Sequence, residues 1–387
     1  MKRAHRIALV TAFIACGALA VLGLAALSSA TEGPLSSALG WIGAATGAIE
    51  HRIRDRLAGP ARRDSLRWLA PYRTSVDRLR RPDVVLLGAY DGDIPRTLDG
   101  VLALESSLGA PMALVQVYSA WGDKPEQQFP VGVLTAIVGL GSIPLVTWEP
   151  WLADFESGRH PHLALRDARD HHGLAAVARG DYDFYIDAWA REAARFKHPF
   201  FVRFGHEMND PYRYPWGPQN NTKEEYILAW RRVVERFRAA GATNVLWVWS
   251  PHVAYEYWEL YYPGDAYVDW VATGVLNFGP IAQWSKWWTF AEIFGSKYPM
   301  LASFGKPIMI AEFGSLAVGG DRAAWYADAI RAIPREYPAT RALVFFHTRD
   351  DQTVTYQKVD WTVTGDTVVS RAIREALGGI GGRTETR

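Results

Sequence analysis

The sequence predicts an α/β protein, a (β/α)8 TIM barrel that follows an N-terminal signal or anchor segment. Its 387 residues are enough for one large domain with an appendage, and 49% of them are hydrophobic, so a sizeable core can form. Short apolar runs recur eight times between longer segments of helical periodicity, which is the order of elements in such a barrel. We therefore divide the chain into a signal or anchor at 1–30, a linker at 31–82, a barrel domain at 83–378 and a tail at 379–387.

Eight runs rich in β-branched and aromatic residues predict the strands. Most are uniformly apolar, as expected for parallel strands that are covered on both faces. They span residues 84–89, 112–118, 143–148, 200–204, 245–249, 268–275, 308–310 and 343–346. An open doubly wound sheet is the alternative, but that fold usually carries a glycine-rich phosphate loop after its first strand, and residues 88–93 do not form one.

Segments between these runs carry the signals of amphipathic helices. Thr222 and Glu225 form the pattern of a capping box in front of apolar residues at helical spacing. Asp321 can cap a later helix, which we expect to end at residue 333 because Pro334 follows.

The composition bears on the class of function. The formal net charge is +1, which gives no electrostatic basis for nucleic-acid binding. The chain contains 17 Trp and 17 Tyr, which can fill a core or stack against the apolar faces of sugars. The single cysteine, Cys16, leaves no partner for an internal disulfide.

The N-terminus indicates export. An apolar run at residues 7–30 follows Lys2, Arg3 and Arg6, which is typical of a secretory signal or a signal anchor. Its length is close to that needed to span a bilayer, and the positive flank places the rest of the chain outside the cytoplasm. We expect an exported protein, secreted or tethered through residues 7–30, with signal cleavage left open.

The linker ends in an arginine-rich stretch, residues 52–81, with ten arginines. We interpret this stretch as a solvated helical segment that packs loosely on the domain. Contact with anionic lipid or polysaccharide near a membrane is the alternative.

Two glutamates follow apolar strands at the positions where barrel enzymes carry their chemistry. Glu207 comes directly after the fourth strand and Glu312 after the seventh, so both side chains can reach one molecule at the barrel mouth. A structural ion pair would explain either glutamate alone, whereas two of them among aromatic residues favour paired catalysis. A retaining glycosidase needs carboxyl groups about 5–5.5 Å apart, and an inverting one about 6.5–9.5 Å.

A zinc site at His206 and Glu207 is excluded by the spacing of the motif. A zinc protease helix requires a second histidine three residues after the glutamate, and position 210 is Asp. The motif also ends a strand and does not lie within a helix. We therefore predict no metal and no organic cofactor.

The stretch around Glu207 resembles the acid/base motif of glycoside hydrolase family 26, the β-mannanase family. The similar segments are 147–151, 203–209, 214–217, 229–231, 244–251, 262–270 and 307–315. His206, directly before Glu207, favours this family over related retaining barrels, most of which carry Asn there. The resemblance covers about residues 83–365 and implies a barrel enzyme that hydrolyses a polysaccharide.

The resemblance also implies roles for individual residues. Glu207 corresponds to the catalytic acid/base and Glu312 to the nucleophile, while Arg203 and His206 would bind sugar hydroxyls or the two carboxylates. A general acid requires a raised pKa, which aromatic walls supply by desolvation, and a nearby arginine such as Arg203 would keep the nucleophile ionised. The candidates for the walls of the cleft are Trp148, Tyr212, Trp216 and Trp249.

The sixth strand departs from the family pattern. The family usually carries an acidic residue there and, two positions on, a Tyr that hydrogen-bonds the nucleophile; here Gly274 and Leu276 occupy these places. The departure puts mannan as the substrate in doubt. We expect a retaining endo-β-glycanase that acts on β-mannan or a related β-glycan, with its oligomeric state undetermined. The alternatives are a hydrolase that processes an exopolysaccharide during synthesis or export, and a catalytically weak barrel that binds polysaccharide.

Overall fold

The computed structural model describes residues 62–283, 285–353, 355 and 357–379. In this part of the chain eight parallel strands form a closed barrel in sequence order, in which the last strand pairs with the first. The strands are β1 (Leu86–Asp91), β2 (Leu114–Ala120), β3 (Ile143–Glu149), β4 (Phe200–Phe204), β5 (Val245–Trp249), β6 (Trp270–Asn277), β7 (Ile308–Ser315) and β8 (Thr340–His347). Each predicted run overlaps one of these strands, and the predicted (β/α)8 barrel is confirmed.

Helices surround the strands. They are α1 (Ala70–Arg73), α2 (Val76–Arg80), α3 (Asp99–Leu108), α4 (Val131–Gly139), α5 (Gly173–Arg179), α6 (Asp183–Phe196), α7 (Lys223–Ala239), α8 (Tyr298–Ser303), α9 (Arg322–Glu336) and α10 (Thr367–Leu377). Among the described residues, no helix is both long and apolar enough to cross a bilayer. The apolar run at 7–30 lies outside the described residues.

The predicted helix caps are confirmed. Thr222 and Glu225 exchange side-chain and backbone hydrogen bonds of 3.2 and 2.8 Å at the start of α7, and the Asp321 carboxylate accepts the Ala324 N–H at 2.9 Å. The expected end of α9 at residue 333 is wrong, since the helix continues to Glu336. Pro334 removes only one N–H donor so close to the end, and the last turn is completed around it.

The core has two layers, because side chains alternate between the faces of each strand. An inner cluster takes side chains from all eight strands, among them Leu86 and Phe201, and none from helices α3–α10, so it fills the barrel itself. An outer cluster joins strand residues such as Trp148 to helix residues such as Trp189. The face on which a strand residue lies therefore decides whether it enters the barrel or packs beneath a helix.

The segment before β1 is part of the barrel, which corrects the domain boundary expected at residue 83. Four apolar side chains from this segment are buried in the inner cluster. They are Leu66, Leu69, Tyr72 and Leu79. Residues 62–82 therefore supply core to the barrel and are not a loosely packed linker.

Arg62 shows why the sequence pattern was misleading. This side chain is buried, pairs with Glu105 at 2.5 Å and donates to Ser142 Oγ at 2.9 Å. A row of arginines predicts solvent exposure unless buried partners are available, and such partners lie far away in sequence.

We expect Gly88→Ala in β1 to destabilise the fold by about 1–3 kcal/mol, because overpacking of a core strains it by that order. A Cβ atom at Gly88 would lie 2.8 Å from the Leu114 Cβ. Urea unfolding followed by tryptophan fluorescence measures the change. Gly132→Ala in α4 is the matched control, since a Cβ there meets nothing within 4 Å. An equal loss of stability in both variants would contradict the account of the barrel interior.

Candidate active site

Inward side chains at the carboxyl ends of the strands form one polar cluster at the barrel mouth. Tyr118 on β2, Glu149 on β3 and Arg203 on β4 each lie an even number of positions beyond a residue of the inner cluster. Because side chains two positions apart share a face of a strand, these residues point into the barrel.

Glu312 joins this cluster because β7 contains a bulge. The pairing of β7 with β8 shifts register between Ile310 and Phe313. Ala311 belongs to the inner cluster, so strict alternation would turn Glu312 outward. The bulge sets Glu312 inward, within hydrogen-bond distance of Arg203, and returns Phe313 to the outer cluster. Bulges commonly redirect a side chain beside an active site.

Two donors hold the buried Glu312 carboxylate. Its Oε1 atom accepts a hydrogen bond of 2.6 Å from Arg203 Nη2 and one of 2.7 Å from the Tyr118 hydroxyl. Burial by itself would raise the pKa of Glu312, but the charge of Arg203 and these two hydrogen bonds hold it below its ordinary value. The carboxylate is therefore ionised at neutral pH.

Arg203 is 1% exposed and links β4 to three other strands. Its Nε donates to Thr147 Oγ1 at 3.0 Å, and its Nη2 also lies 3.1 Å from the Tyr118 hydroxyl. Burial would lower the pKa of Arg203, but the neighbouring Tyr118 and Glu312 raise it, so the guanidinium stays charged. Each member of this ion pair compensates a charge that has been removed from water.

Glu207 lies on the turn that follows β4. Its backbone is in the left-handed region, with φ of 52°, which residues other than glycine rarely adopt. The Glu207 N–H donates to the Ser250 carbonyl at 2.7 Å, and its carbonyl accepts the Asp210 N–H at 2.9 Å. Its Oε2 atom accepts a 3.0 Å hydrogen bond from Arg213. Backbone strain of this kind concentrates at functional sites, where the surrounding contacts maintain it.

Gly274 on β6 shows how close the two glutamates are. A Cβ atom built on Gly274 would lie 3.7 Å from Glu207 Oε1 and 3.7 Å from Glu312 Oε2. The two oxygens are therefore no farther apart than twice 3.7 Å. This limit contains the retaining separation of about 5–5.5 Å and also reaches the short end of the inverting range of about 6.5–9.5 Å.

The phenol that holds Glu312 comes from an unexpected strand. Leu276 on β6 packs against an apolar cluster that contains Phe278 and Trp361, and it offers no hydrogen bond. The Tyr118 hydroxyl on β2 supplies the hydrogen bond to Glu312 instead. Sequence reasoning missed this function of Tyr118, although its position at a strand end was a usable signal.

His206 lies beneath the site and is buried. Its Nε2 atom is 3.0 Å from the Tyr214 hydroxyl, and its carbonyl accepts the Trp216 indole N–H at 2.8 Å. Burial first, and then the charges of Arg203 and Arg213, hold the pKa of His206 well below its ordinary value, so the ring is neutral. His206 thus contacts Tyr214 in this structure, while Arg203 contacts the carboxylate.

Three of the four aromatic residues expected in the cleft walls lie elsewhere. Trp148 and Trp249 are 0% exposed in the outer cluster, because they occupy outward positions of β3 and β5. Trp216 is also buried, where its ring stacks on that of Tyr214 at 4.5 Å. The expectation for these three residues is wrong, since an apolar run does not reveal which face carries the cleft. Tyr212 is 78% exposed and is available at the surface.

Glu207 also belongs to a group that could hold a cation. One ligand atom each from Glu207, Asp210 and His252 lies within 4.8 Å of the others. Glu207 Oε2, however, is paired with Arg213, whose positive charge opposes a metal ion beside this carboxylate. We assign the group no metal function.

Other polar residues of the site were not sequence candidates. Arg213 binds Glu207, and Tyr214 binds His206. Both lie between the predicted site residues Tyr212 and Trp216, and that proximity in sequence was the available signal. Thr147, which binds Arg203, gave no such signal because a threonine in an apolar strand is common.

Comparisons with known proteins find similarity to a family of glycosyl hydrolases. The model of glycosyl hydrolase family 26 matches residues 176–306. Endoglucanase H from Acetivibrio thermocellus is 30% identical over 302 residues, which are 76% of this chain and 30% of that protein. Mannan endo-1,4-beta-mannosidase A and B from Caldalkalibacillus mannanilyticus is 30% identical over 145 residues, 35% of this chain and 25% of that protein.

A solved structure shares the fold. The family 26 β-mannanase from Bacteroides ovatus is 18% identical in sequence, covers 78% of this chain and 91% of its own, and superimposes with a TM-score of 0.55. A closed barrel with two carboxylates that face each other at its mouth is the arrangement that a retaining glycosidase on this fold requires. The chain belongs to glycosyl hydrolase family 26. It spans less than a third of the length of the two relatives named above.

We expect Tyr118→Phe to raise the pKa of Glu312, because the lost hydrogen bond favours the ionised carboxylate. NMR titration of isotope-labelled glutamate carboxyls measures the change without requiring activity. Tyr90→Phe is the matched control: its ring contacts Tyr118 at 4.8 Å, but it makes no hydrogen bond to Glu312 among the described residues. An unchanged titration in Tyr118→Phe, or the same shift in both variants, would refute the assignment.

Proposed function

We propose that this chain is a retaining endo-β-glycanase, with Glu207 as the catalytic acid/base and Glu312 as the nucleophile. One observation carries the proposal: an oxygen of each carboxylate lies 3.7 Å from the same point beside β6. Double displacement also requires that one carboxyl group of the pair be ionised to act as the nucleophile, and Arg203 holds Glu312 in that form.

The proposed reaction has two displacements. In the first, a Glu312 oxygen bonds to the anomeric carbon, the bond from that carbon to the glycosidic oxygen breaks, and protonated Glu207 gives its proton to the leaving oxygen. In the second, Glu207 takes a proton from water, the water oxygen bonds to the anomeric carbon, and Glu312 leaves as a carboxylate. The hydrogen bond from Tyr118 stabilises the carboxylate form in which Glu312 begins and ends the cycle.

The proposed substrate is a β-linked polysaccharide. The relatives are named as an endoglucanase and a mannan endo-1,4-beta-mannosidase, which supports endo-cleavage of a polymer. Gly274 and Leu276 present no polar side chain to a sugar, so nothing at β6 favours mannan in particular. The proposal therefore covers β-mannan and related β-glycans.

The proposed site of action is outside the cytoplasm. The proposal rests on the apolar run at residues 7–30 and on the positive charges before it.

Glu207→Gln and Glu312→Gln should each reduce hydrolysis of a susceptible β-glycan by at least about 10³-fold, because each removes a group that reacts. Release of reducing ends measures the rate, and Glu156→Gln, an exposed glutamate on the segment after β3, is the control. With an aryl β-glycoside whose phenolate leaves without protonation, azide should restore turnover to Glu207→Ala and give a β-glycosyl azide as product. Full activity in either Gln variant, or product of inverted configuration, would disprove the mechanism.

Export is tested with alkaline phosphatase fused after residue 60, since this reporter is active only outside the cytoplasm. We expect activity with the natural sequence and loss of activity when Leu22 and Leu24 are both changed to Arg, because charge in the apolar run prevents insertion. The control changes the same two residues to Ile. Activity that survives the arginines would contradict export through residues 7–30.

A further inference from the structure

A third carboxyl group opens onto the barrel mouth. Glu149 ends β3 on its inner face, two positions beyond Thr147, whose hydroxyl holds Arg203. The side chain is partly exposed, in contrast to the buried Glu207 and Glu312. Neither of the two displacements described above uses it.

Trp151 fixes the position of Glu149. The Trp151 indole N–H donates to Glu149 Oε2 at 3.1 Å, and the Trp151 backbone N–H donates to the Glu149 carbonyl at 2.9 Å. The indole is itself supported edge-on by Trp216 at 5.3 Å and by Tyr214 at 6.5 Å. The other carboxyl oxygen, Glu149 Oε1, accepts no hydrogen bond from any residue that the structure describes.

Glu149 is also in the electrostatic field of the catalytic pair. The charged and titratable groups that face it are Tyr90, Arg203, Arg213, Tyr214 and Glu312. Desolvation raises the pKa of Glu149 to about 7. The Trp151 hydrogen bond and the charges of Arg203 and Arg213 lower this pKa, but they do not cancel the rise. The Glu149 carboxyl group thus lies beside the two catalytic glutamates and forms no ion pair with any residue that the structure describes.

We propose that Glu149 and Trp151 form a sugar-binding subsite next to the catalytic carboxylates, which selects a sugar ring with two free neighbouring hydroxyls. The inference rests on the proposed function and specifies what the site accepts. A partly exposed indole can stack against the apolar C–H face of a sugar. A carboxylate beside it can accept hydrogen bonds from two hydroxyl groups at once.

This arrangement gives a physical basis for selection. A carboxylate oxygen that a bound sugar covers without donating a hydrogen bond loses its water and stays unpaired, which costs far more than the loss of an apolar contact. A glycan whose neighbouring hydroxyls are O-acetylated cannot donate to Glu149 Oε1. The subsite therefore favours unsubstituted over O-acetylated stretches of the same polymer.

The test is Glu149→Gln, which keeps the shape and removes the charge. Hydrolysis is measured on one β-glycan that the wild type cuts, in unsubstituted and partly O-acetylated form. We expect kcat/KM on the unsubstituted polymer to fall about 10–100-fold, mainly through KM, because charge-assisted hydrogen bonds are lost. On the acetylated polymer the fall should be several times smaller. Trp151→Phe should give a smaller loss, and Glu156→Gln none.

The pH dependence adds an independent readout. Above pH 7 the wild-type Glu149 is a carboxylate that accepts hydroxyl protons, whereas below it the group is neutral, as the glutamine amide always is. The difference in KM between wild type and Glu149→Gln should therefore be largest above pH 7 and should shrink below it. A purely structural role for Glu149 would give the same difference at every pH.

Failure of the subsite and failure of the proposed function are distinguishable. If the wild type cuts a β-glycan but Glu149→Gln changes neither KM nor the preference between the two polymers, the subsite is disproved and the hydrolase stands. If the wild type cuts no glycan, binding of the unsubstituted polymer to Glu312→Gln is compared with binding to the Glu149→Gln, Glu312→Gln double variant. Weaker binding by the double variant would support the subsite alone, and equal or absent binding would overturn it.

Discussion

The buried ion pair between Arg203 and Glu312 is the interaction on which the rest of the site depends. Its two charges lie 2.6 Å apart in a place that water hardly reaches. Taking either charge out of water alone would cost several kcal/mol, and removing one partner of such a pair costs about 3–5 kcal/mol. The pair is therefore stable only as a unit, and it fixes the carboxylate that the proposed reaction needs in its ionised form.

The barrel provides the supports for that pair from different strands. Thr147 on β3 and Tyr118 on β2 both bind Arg203, and Tyr118 also binds Glu312 on β7. Closure of the sheet brings these strands around one opening, which no pair of neighbouring strands could achieve. Leu276 on β6 cannot donate a hydrogen bond to Glu312. Because the sheet is closed, the Tyr118 hydroxyl from β2 reaches Glu312 and donates that hydrogen bond instead.

The two glutamates are held in different ways, and the difference suits the two tasks proposed for them. Glu312 is fixed within a strand, where a bulge aims it and two donors hold one oxygen. Glu207 lies on a left-handed turn and contacts Arg213 through one oxygen only. A nucleophile benefits from a fixed, charged position, whereas an acid/base must exchange its proton with both a sugar oxygen and water.

The sequence by itself determined the class of fold and the strands at whose carboxyl ends the two glutamates lie. Uniformly apolar runs at regular intervals are sufficient to predict buried parallel strands, and a carboxylate at the end of such a strand marks the barrel mouth. Only the tertiary structure decided which side chains face the cleft. That choice depends on whether the odd or the even residues of a strand point into the barrel, and on where a bulge interrupts the alternation. Trp148 follows the alternation and turns into the outer core, whereas Glu312 turns inward because β7 is bulged. Residues 62–82 enter the barrel for a similar reason, since the partners that bury Arg62 are brought to it by folding alone.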